Sequence, residues 1–152
     1  MDNRKEGDLG QNTKSPSVHI ALPEPLNTII SRLEPKSVTN FYGGPGTGKT
    51  NLCLLAAIEC IRNGGCVTYI DTEGGFSKER LCQLTKNPEQ ALQKICLLEP
   101  KTFEEQGKVI RSLDKANHKA DLIILDSAVA LYRLEYADPK AGHAASQAIL
   151  KR

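Results

Sequence analysis

Residues 43–50 read GGPGTGKT, a complete G-x-x-x-x-G-K-[ST] pattern with four glycines in eight positions. A glycine run of that spacing, set between a strand-like and a helical stretch, admits few folds. Residues 38–42 carry strand character, and residues 50–63 read as a helix closed by Gly64 and Gly65. A strand, loop and helix in that order can wrap a polyphosphate in consecutive backbone N–H groups, with the helix adding the positive end of its dipole. Gly43, Gly44, Gly46 and Gly48 supply the backbone freedom, and Pro45 and Thr47 complete the loop. Lys49 can then reach the β and γ phosphates, and the Thr50 hydroxyl can take one Mg²⁺ position. A bare Gly-Pro turn with no ligand is the alternative that the full motif and its flanks argue against.

Strand and helix patterns alternate beyond the loop. Residues 66–72 (CVTYIDT) form a strand pattern, and Ser77 can cap a short helix carrying Leu81 and Leu84. Asn87, Pro88 and Gln90 mark another helix start, and residues 95–98 a further strand. Thr102 and Glu105 form a capping box ahead of Phe103, Val109, Ile110 and Leu113. Residues 122–125 are aliphatic throughout, which predicts a strand buried on both faces. Upstream, Leu26, Ile29, Ile30 and Leu33 lie at helical spacing, and Pro35 should end that helix near Glu34. The alternation predicts an α/β fold with a mainly parallel sheet flanked by helices.

A length of 152 residues fits one domain. Residues 1–17 hold six charges and almost nothing apolar, so they are expected to be a flexible leader, with 18–152 as the folded domain. Near the end, Ala141, Ala144, Ala145, Ala148 and Ile149 mark a helix face that stops in mid-pattern at Arg152. No apolar run reaches the ~18 residues of a membrane span, and the first residues lack a signal-peptide core, so a cytoplasmic protein is expected. A net charge of +2 leaves DNA binding open. The five cysteines form no C-x-x-C pair and read as small core residues in a reducing compartment.

Asp126 follows Leu-Ile-Ile-Leu, at the C-terminal edge of a parallel strand, where α/β sheets carry their ligand crevice. A carboxylate there can hold Mg²⁺ directly or through water, although an acid after an aliphatic run is also a common strand-end cap. Glu73 ends the strand in TYIDTEGG. If that strand lies beside the one entering the phosphate loop, Glu73 projects toward the γ-phosphate as a base or water-positioning group. Asp71, two residues earlier, shares its face and competes for the role.

Read together, GGPGTGKT, YIDTEGGFSKERL and LIILDSAVALYRLEY resemble the core of the RecA-like recombinases. TEGGFS-x-ER, NPEQAL, PKTFEEQGKVI and the DS followed by YR-x-E make the chain most similar to the archaeal RadB proteins, shortened paralogues of RadA. The resemblance covers residues 26–136 and implies a P-loop NTPase with a RecA-like core. It selects Glu73 as the residue that activates water, and suggests that Arg80 stacks on adenine and that Ser127 belongs to the Mg²⁺ neighbourhood. Tyr132 and Arg133 fall where the family chain enters its first DNA loop; an aromatic beside a cation suits single strands, although such a pair commonly packs on a surface. The implied cofactors are ATP and Mg²⁺. The implied partners are DNA, single-stranded by preference, and a RadA-like main recombinase or other recombination proteins.

Four departures qualify the resemblance. No helix-hairpin-helix domain is expected ahead of the core, and residues 18–21 offer V-x-x-A in place of the F-x-x-A oligomerisation tether. The glycine-rich turn before the phosphate loop is replaced by LEPKSV. The family chain continues with further strands, a second DNA loop and a γ-phosphate-sensing glutamine, so a partial member lacking the C-terminal strands is expected. The favoured function is an ATP-binding recombination accessory with weak ATP hydrolysis and DNA binding. A small-molecule kinase would need clustered lid arginines that the chain does not offer, and a non-catalytic module keeping nucleotide as a structural ligand is the third reading.

Overall fold

All five residues of β1 (Val67–Asp71) are buried, as expected of a strand rich in Val, Tyr and Ile that is paired along both edges. It runs parallel to β2 (Ile95–Leu98) on one side and to β3 (Leu122–Asp126) on the other, in the order β2-β1-β3. This computed structural model describes residues 20–24, 26–28, 30–115 and 120–136. Each parallel step needs a crossover. The β1-to-β2 connection carries α2 (Lys78–Leu84) and α3 (Pro88–Gln93), and the β2-to-β3 connection carries α4 (Phe103–Lys115). α1 (Lys49–Arg62) precedes β1, and α5 (Ala130–Tyr136) follows β3 across a cis Asp126–Ser127 peptide.

The core forms where α1 lies on the sheet. Leu54, Ala57, Ile58 and Cys60 of α1 cluster with Val67, Tyr69, Ile124 and the wholly buried Leu81 of α2. Burying Leu81 alone contributes about 1.5–3 kcal/mol. Gly64, at φ 87°, ends α1: its N–H bonds Ile61 O and that of Gly65 bonds Cys60 O, the paired bonds of a Schellman ending. The Ser77 cap also forms, its hydroxyl accepting from Arg80 N at 3.1 Å. In the capping box, Glu105 N donates to Thr102 Oγ1 and Lys101 N donates to Glu105 Oε2. Asn87 stands at the N-cap of α3 without a side-chain cap bond.

Three expectations are corrected. The helix over residues 26–34 is only a 3-10 turn at Leu26–Thr28; Leu33 instead makes an antiparallel bridge to Ile20, with Leu33 N donating to Ile20 O at 2.8 Å. Prolines at 23, 25 and 35 leave too few residues for an independent helix, so the tertiary bridge prevails. Residues 38–42 form no strand: Val38 is 97% and Tyr42 92% exposed, and only Phe41 packs on the core. The chain reaches them through a turn in which Lys36 takes a left-handed φ of 57°, and it meets no ladder partner there. A strand exists only as part of a ladder, whatever its side-chain pattern. Glu73 therefore follows a strand whose neighbours are β2 and β3, not a phosphate-loop strand. Finally, β3 is not buried on both faces. Its outer edge is unpaired among the described residues and Ile123 is 51% exposed, while Ile124 on the α1 face is buried.

The expected leader over 1–17, the V-x-x-A at Val18, Ile29 and the helix face from Ala141 to Ile149 lie outside the described residues. Among the described residues no helix is long and apolar enough to cross a membrane.

Candidate nucleotide-binding site

Gly48 caps the N-terminus of α1 at φ 88°, ψ 12°, and Gly46 also lies at positive φ. A left-handed backbone costs a side-chain-bearing residue about 1–2 kcal/mol, which is why glycine stands at both positions. The loop is held from within: Thr47 Oγ1 donates to Gly44 O at 2.9 Å. The Lys49 ammonium donates to Gly43 O at 3.0 Å and to Gly44 O at 2.8 Å. Among the described residues the backbone N–H groups of Gly44, Gly46, Thr47 and Gly48 donate no hydrogen bond. Beside them opens a cavity of about 320 Å³ lined by Phe41, Tyr42, Gly43, Thr47, Lys49 and Leu52. A second cavity, of about 240 Å³ between Cys66, Lys94 and Cys96, touches none of the candidate residues.

The C-terminal ends of β1 and β3 meet the loop's helix. Asp71 is buried and its carboxylate is fully engaged: Oδ1 accepts from the N–H groups of Glu73, Gly74 and Gly75, and Oδ2 from Phe76 N at 2.8 Å. That carboxylate builds the turn and has no oxygen left over for water. Glu73 is exposed, and its Oε1 accepts from Ser127 Oγ at 2.6 Å. Ser127 is itself clamped to β1, since Thr72 Oγ1 donates to Ser127 O at 2.7 Å and accepts from Ser127 N at 2.8 Å. Thr50 lies against the same turn, within 3.5 Å of where a Cβ on Gly75 would stand.

Asp126 is 7% exposed, and its Oδ2 accepts from the Tyr69 hydroxyl at 3.0 Å. Burial, reinforced by the negative charge of Asp126, pushes the Tyr69 hydroxyl far above its ordinary pKa. Burial first and Asp126 second push the Cys53 thiol up to about 12. Cys60 is likewise pushed up to about 12, mainly by burial, so both thiols stay protonated and serve as packing groups. Among the described residues no group of three or more His, Cys, Asp or Glu side chains could hold a metal. The donors present, a Thr50 hydroxyl and the Asp126 carboxylate, fit a hard cation that completes its shell with phosphate oxygens and water, as Mg²⁺ does.

Arg80 stands on α2 facing α1, with Nε donating to Asn51 Oδ1 and an NH group to Gln83 Oε1, each at 3.0 Å. Tyr132 and Arg133 lie on α5, apart from this cluster. The Tyr132 ring packs against Phe103 at 5.5 Å and Tyr136 at 5.1 Å, whereas Arg133 is exposed. Three residues were missed by the sequence reading: Tyr69, Thr72 and Gln106. Gln106 is buried and donates to Ala128 O at 3.0 Å, tying α4 to the segment after β3. A polar residue inside the apolar stripe Phe103, Ile110, Leu113 was the available signal for it. For Tyr69 the signal was a hydroxyl in a central strand, which must find a partner when buried.

The family described as Rad51 matches residues 24–152. The DNA repair and recombination protein RadB of Methanococcus maripaludis is 47% identical over 118 residues, 77% of this chain and 53% of the relative. RadB of Methanothermobacter thermautotrophicus is 37% identical over 149 residues, 94% of this chain and 59% of the relative. The crystal structure of the RadB recombinase aligns at a TM-score of 0.63 and 37% identity, over 76% of this chain and 54% of that one. The chain thus spans little more than half the length of the curated relatives it matches. With a parallel sheet, a complete phosphate loop and a family match across most of its length, the chain belongs to the Rad51 family.

Proposed function

We propose that the chain binds ATP with Mg²⁺ at the 43–50 loop and serves DNA repair and homologous recombination in the cytoplasm, as an accessory to a RadA-like recombinase. It would hydrolyse ATP weakly and bind DNA, single-stranded by preference. In general terms the Rad51 family implies nucleotide and Mg²⁺ use, DNA, and recombination partners. The observation that carries the finer reading is the loop itself. Four of its N–H groups have no acceptor among the described residues, and the Lys49 ammonium rests on its carbonyls. An anion of several oxygens is the ligand such an arrangement answers.

In this reading Lys49 exchanges two carbonyl bonds for phosphate oxygens, while Thr50 and Asp126 hold the metal side. Bound Mg²⁺ neutralises charge on the phosphates. Glu73 takes the proton of the attacking water, and Ser127 Oγ, bonded to its Oε1, steadies the carboxylate. Arg80, over the start of α1, covers the adenine. Arg133 contributes charge to DNA, and Tyr132 supports it through the ring cluster. The name of the similar RadB proteins supports a role in DNA repair and recombination, and V-x-x-A in place of the tether supports an accessory one.

Equilibrium titration with a fluorescent ATP analogue, followed by phosphate release with and without single-stranded DNA, tests the proposal. Mg²⁺-dependent binding and DNA-stimulated release are expected. Absence of nucleotide binding would sink it. Phosphate appearing on a small-molecule acceptor would favour a kinase, and binding without release would leave nucleotide as a structural ligand.

A further inference from the structure

Directly paired residues of parallel strands share a sheet face, so the pairs Tyr69↔Ile124 and Asp71↔Asp126 put Tyr69, Asp71 and Asp126 on one face of the sheet. Two opposed buried carboxylates repel each other unless each has its own partners. Asp71 has four, all backbone N–H groups of the turn that follows it. Asp126 has one among the described residues, the Tyr69 hydroxyl, which bonds Oδ2 and leaves Oδ1 without a hydrogen bond.

The tyrosine is held for this contact. It is 0% exposed, stands on the strand paired on both edges, and packs edge-to-face on Phe76 at 5.1 Å and 69°. Phe76 is in turn tied to Asp71 through its N–H. Ile124, opposite Tyr69, and Asp126, two residues on, are the straight and diagonal neighbours that an aromatic side chain can span. Phenylalanine would fill the same space, and burying a hydroxyl at zero exposure is costly without an acceptor. The hydroxyl therefore has a specific use at Asp126.

We propose that Tyr69 is a positioning residue for the metal: by binding Oδ2 it fixes the rotation of the Asp126 carboxylate and presents Oδ1 to the Mg²⁺ that accompanies the nucleotide. This rests on the Mg²⁺ role of Asp126 proposed above. A ligating carboxylate is commonly oriented by such an outer hydrogen bond, and losing one typically costs 10–100-fold in metal affinity. Tyr69 touches neither nucleotide nor reacting atoms, so its removal should show in the metal dependence of binding and leave metal-free nucleotide affinity alone.

The test is ATP binding at equilibrium, by calorimetry, across a Mg²⁺ series for the parent, Tyr69→Phe and Asp126→Asn. In Tyr69→Phe the half-saturating Mg²⁺ concentration should rise roughly tenfold, with ATP affinity in chelator within twofold of the parent. Asp126→Asn should abolish the Mg²⁺ dependence, and Tyr69→Phe added to it should change nothing further. If Asp126→Asn keeps the parent's Mg²⁺ dependence, the metal reading itself is wrong. If Asp126→Asn loses it while Tyr69→Phe stays within twofold of the parent, only the Tyr69 inference is overturned. A merely structural hydroxyl would lower the thermal midpoint and weaken ATP binding equally with and without metal, which also overturns it. Should Tyr69→Phe fail to fold, the parent labelled with 3-fluorotyrosine carries the test through its four tyrosines. The solvent-shielded fluorine resonance should move when Mg²⁺ joins the ATP complex; no movement overturns the inference.

Discussion

Two glycine-bearing turns sit at the same edge of the sheet and are built in opposite ways. In the turn after β1, the N–H groups of Glu73, Gly74, Gly75 and Phe76 all point at one carboxylate, Asp71, and the turn is complete in itself. In the loop before α1, the N–H groups of Gly44, Gly46, Thr47 and Gly48 find no acceptor among the described residues, and the side chains of Thr47 and Lys49 bond its carbonyls. An internal anion makes a turn into scaffold, and its absence makes a loop into a receptor for an external one. The edge therefore pairs a turn closed on itself, which carries Glu73, with a loop whose N–H groups stay open to the phosphates in the proposed reading.

The contrast can be broken most sharply at Asp71. Asp71→Ala leaves four donors facing a vacated acceptor and should cost about 3–5 kcal/mol of stability, read by urea unfolding. A loss under about 1 kcal/mol would mean that the turn does not depend on its carboxylate. Glu73→Gln keeps the shape of the neighbouring side chain and removes a proton acceptor. Single-turnover hydrolysis should fall about 100-fold or more with nucleotide affinity unchanged. Equal turnover would remove Glu73 from the chemistry. Lys49→Ala acts on the open loop: ATP affinity should drop roughly 30-fold, in line with about 2 kcal/mol for bonds to a charged group, while the unfolding midpoint holds. An unchanged dissociation constant would refute the loop's assignment. The smallest effect is expected at Ser77→Ala, which removes the α2 cap at the far end of the rigid turn. About 1 kcal/mol of stability should go. Any accompanying change in ATP affinity would show that the two turns are coupled through Arg80 and Asn51.

Local signals were legible where the physics is local. The cap at Ser77, the Thr102–Glu105 box and the Gly64–Gly65 ending of α1 all depend on neighbours within a few residues. The shape of the 43–50 loop is of the same kind, since its threonine and lysine bond their own backbone. Residues 38–42 and 26–34 misled for the opposite reason. Their apolar spacing was real, but the lack of a ladder partner among the described residues and a bridge to Ile20 decided their form.

The sequence by itself determined the G-x-x-x-x-G-K-[ST] pattern of residues 43–50, the α/β alternation and the family, because each is written in consecutive or periodically spaced residues. Spacing alone left Asp71 and Glu73 alike, and the tertiary structure gives them different surroundings. Two acids on one face look alike in a strand pattern, and they differ once one is seen to accept four backbone N–H groups and the other to face Ser127 across β1 and β3. The bond from Tyr69 to Asp126 was beyond the sequence for the same reason: strand register joins residues 57 apart, and register follows from packing.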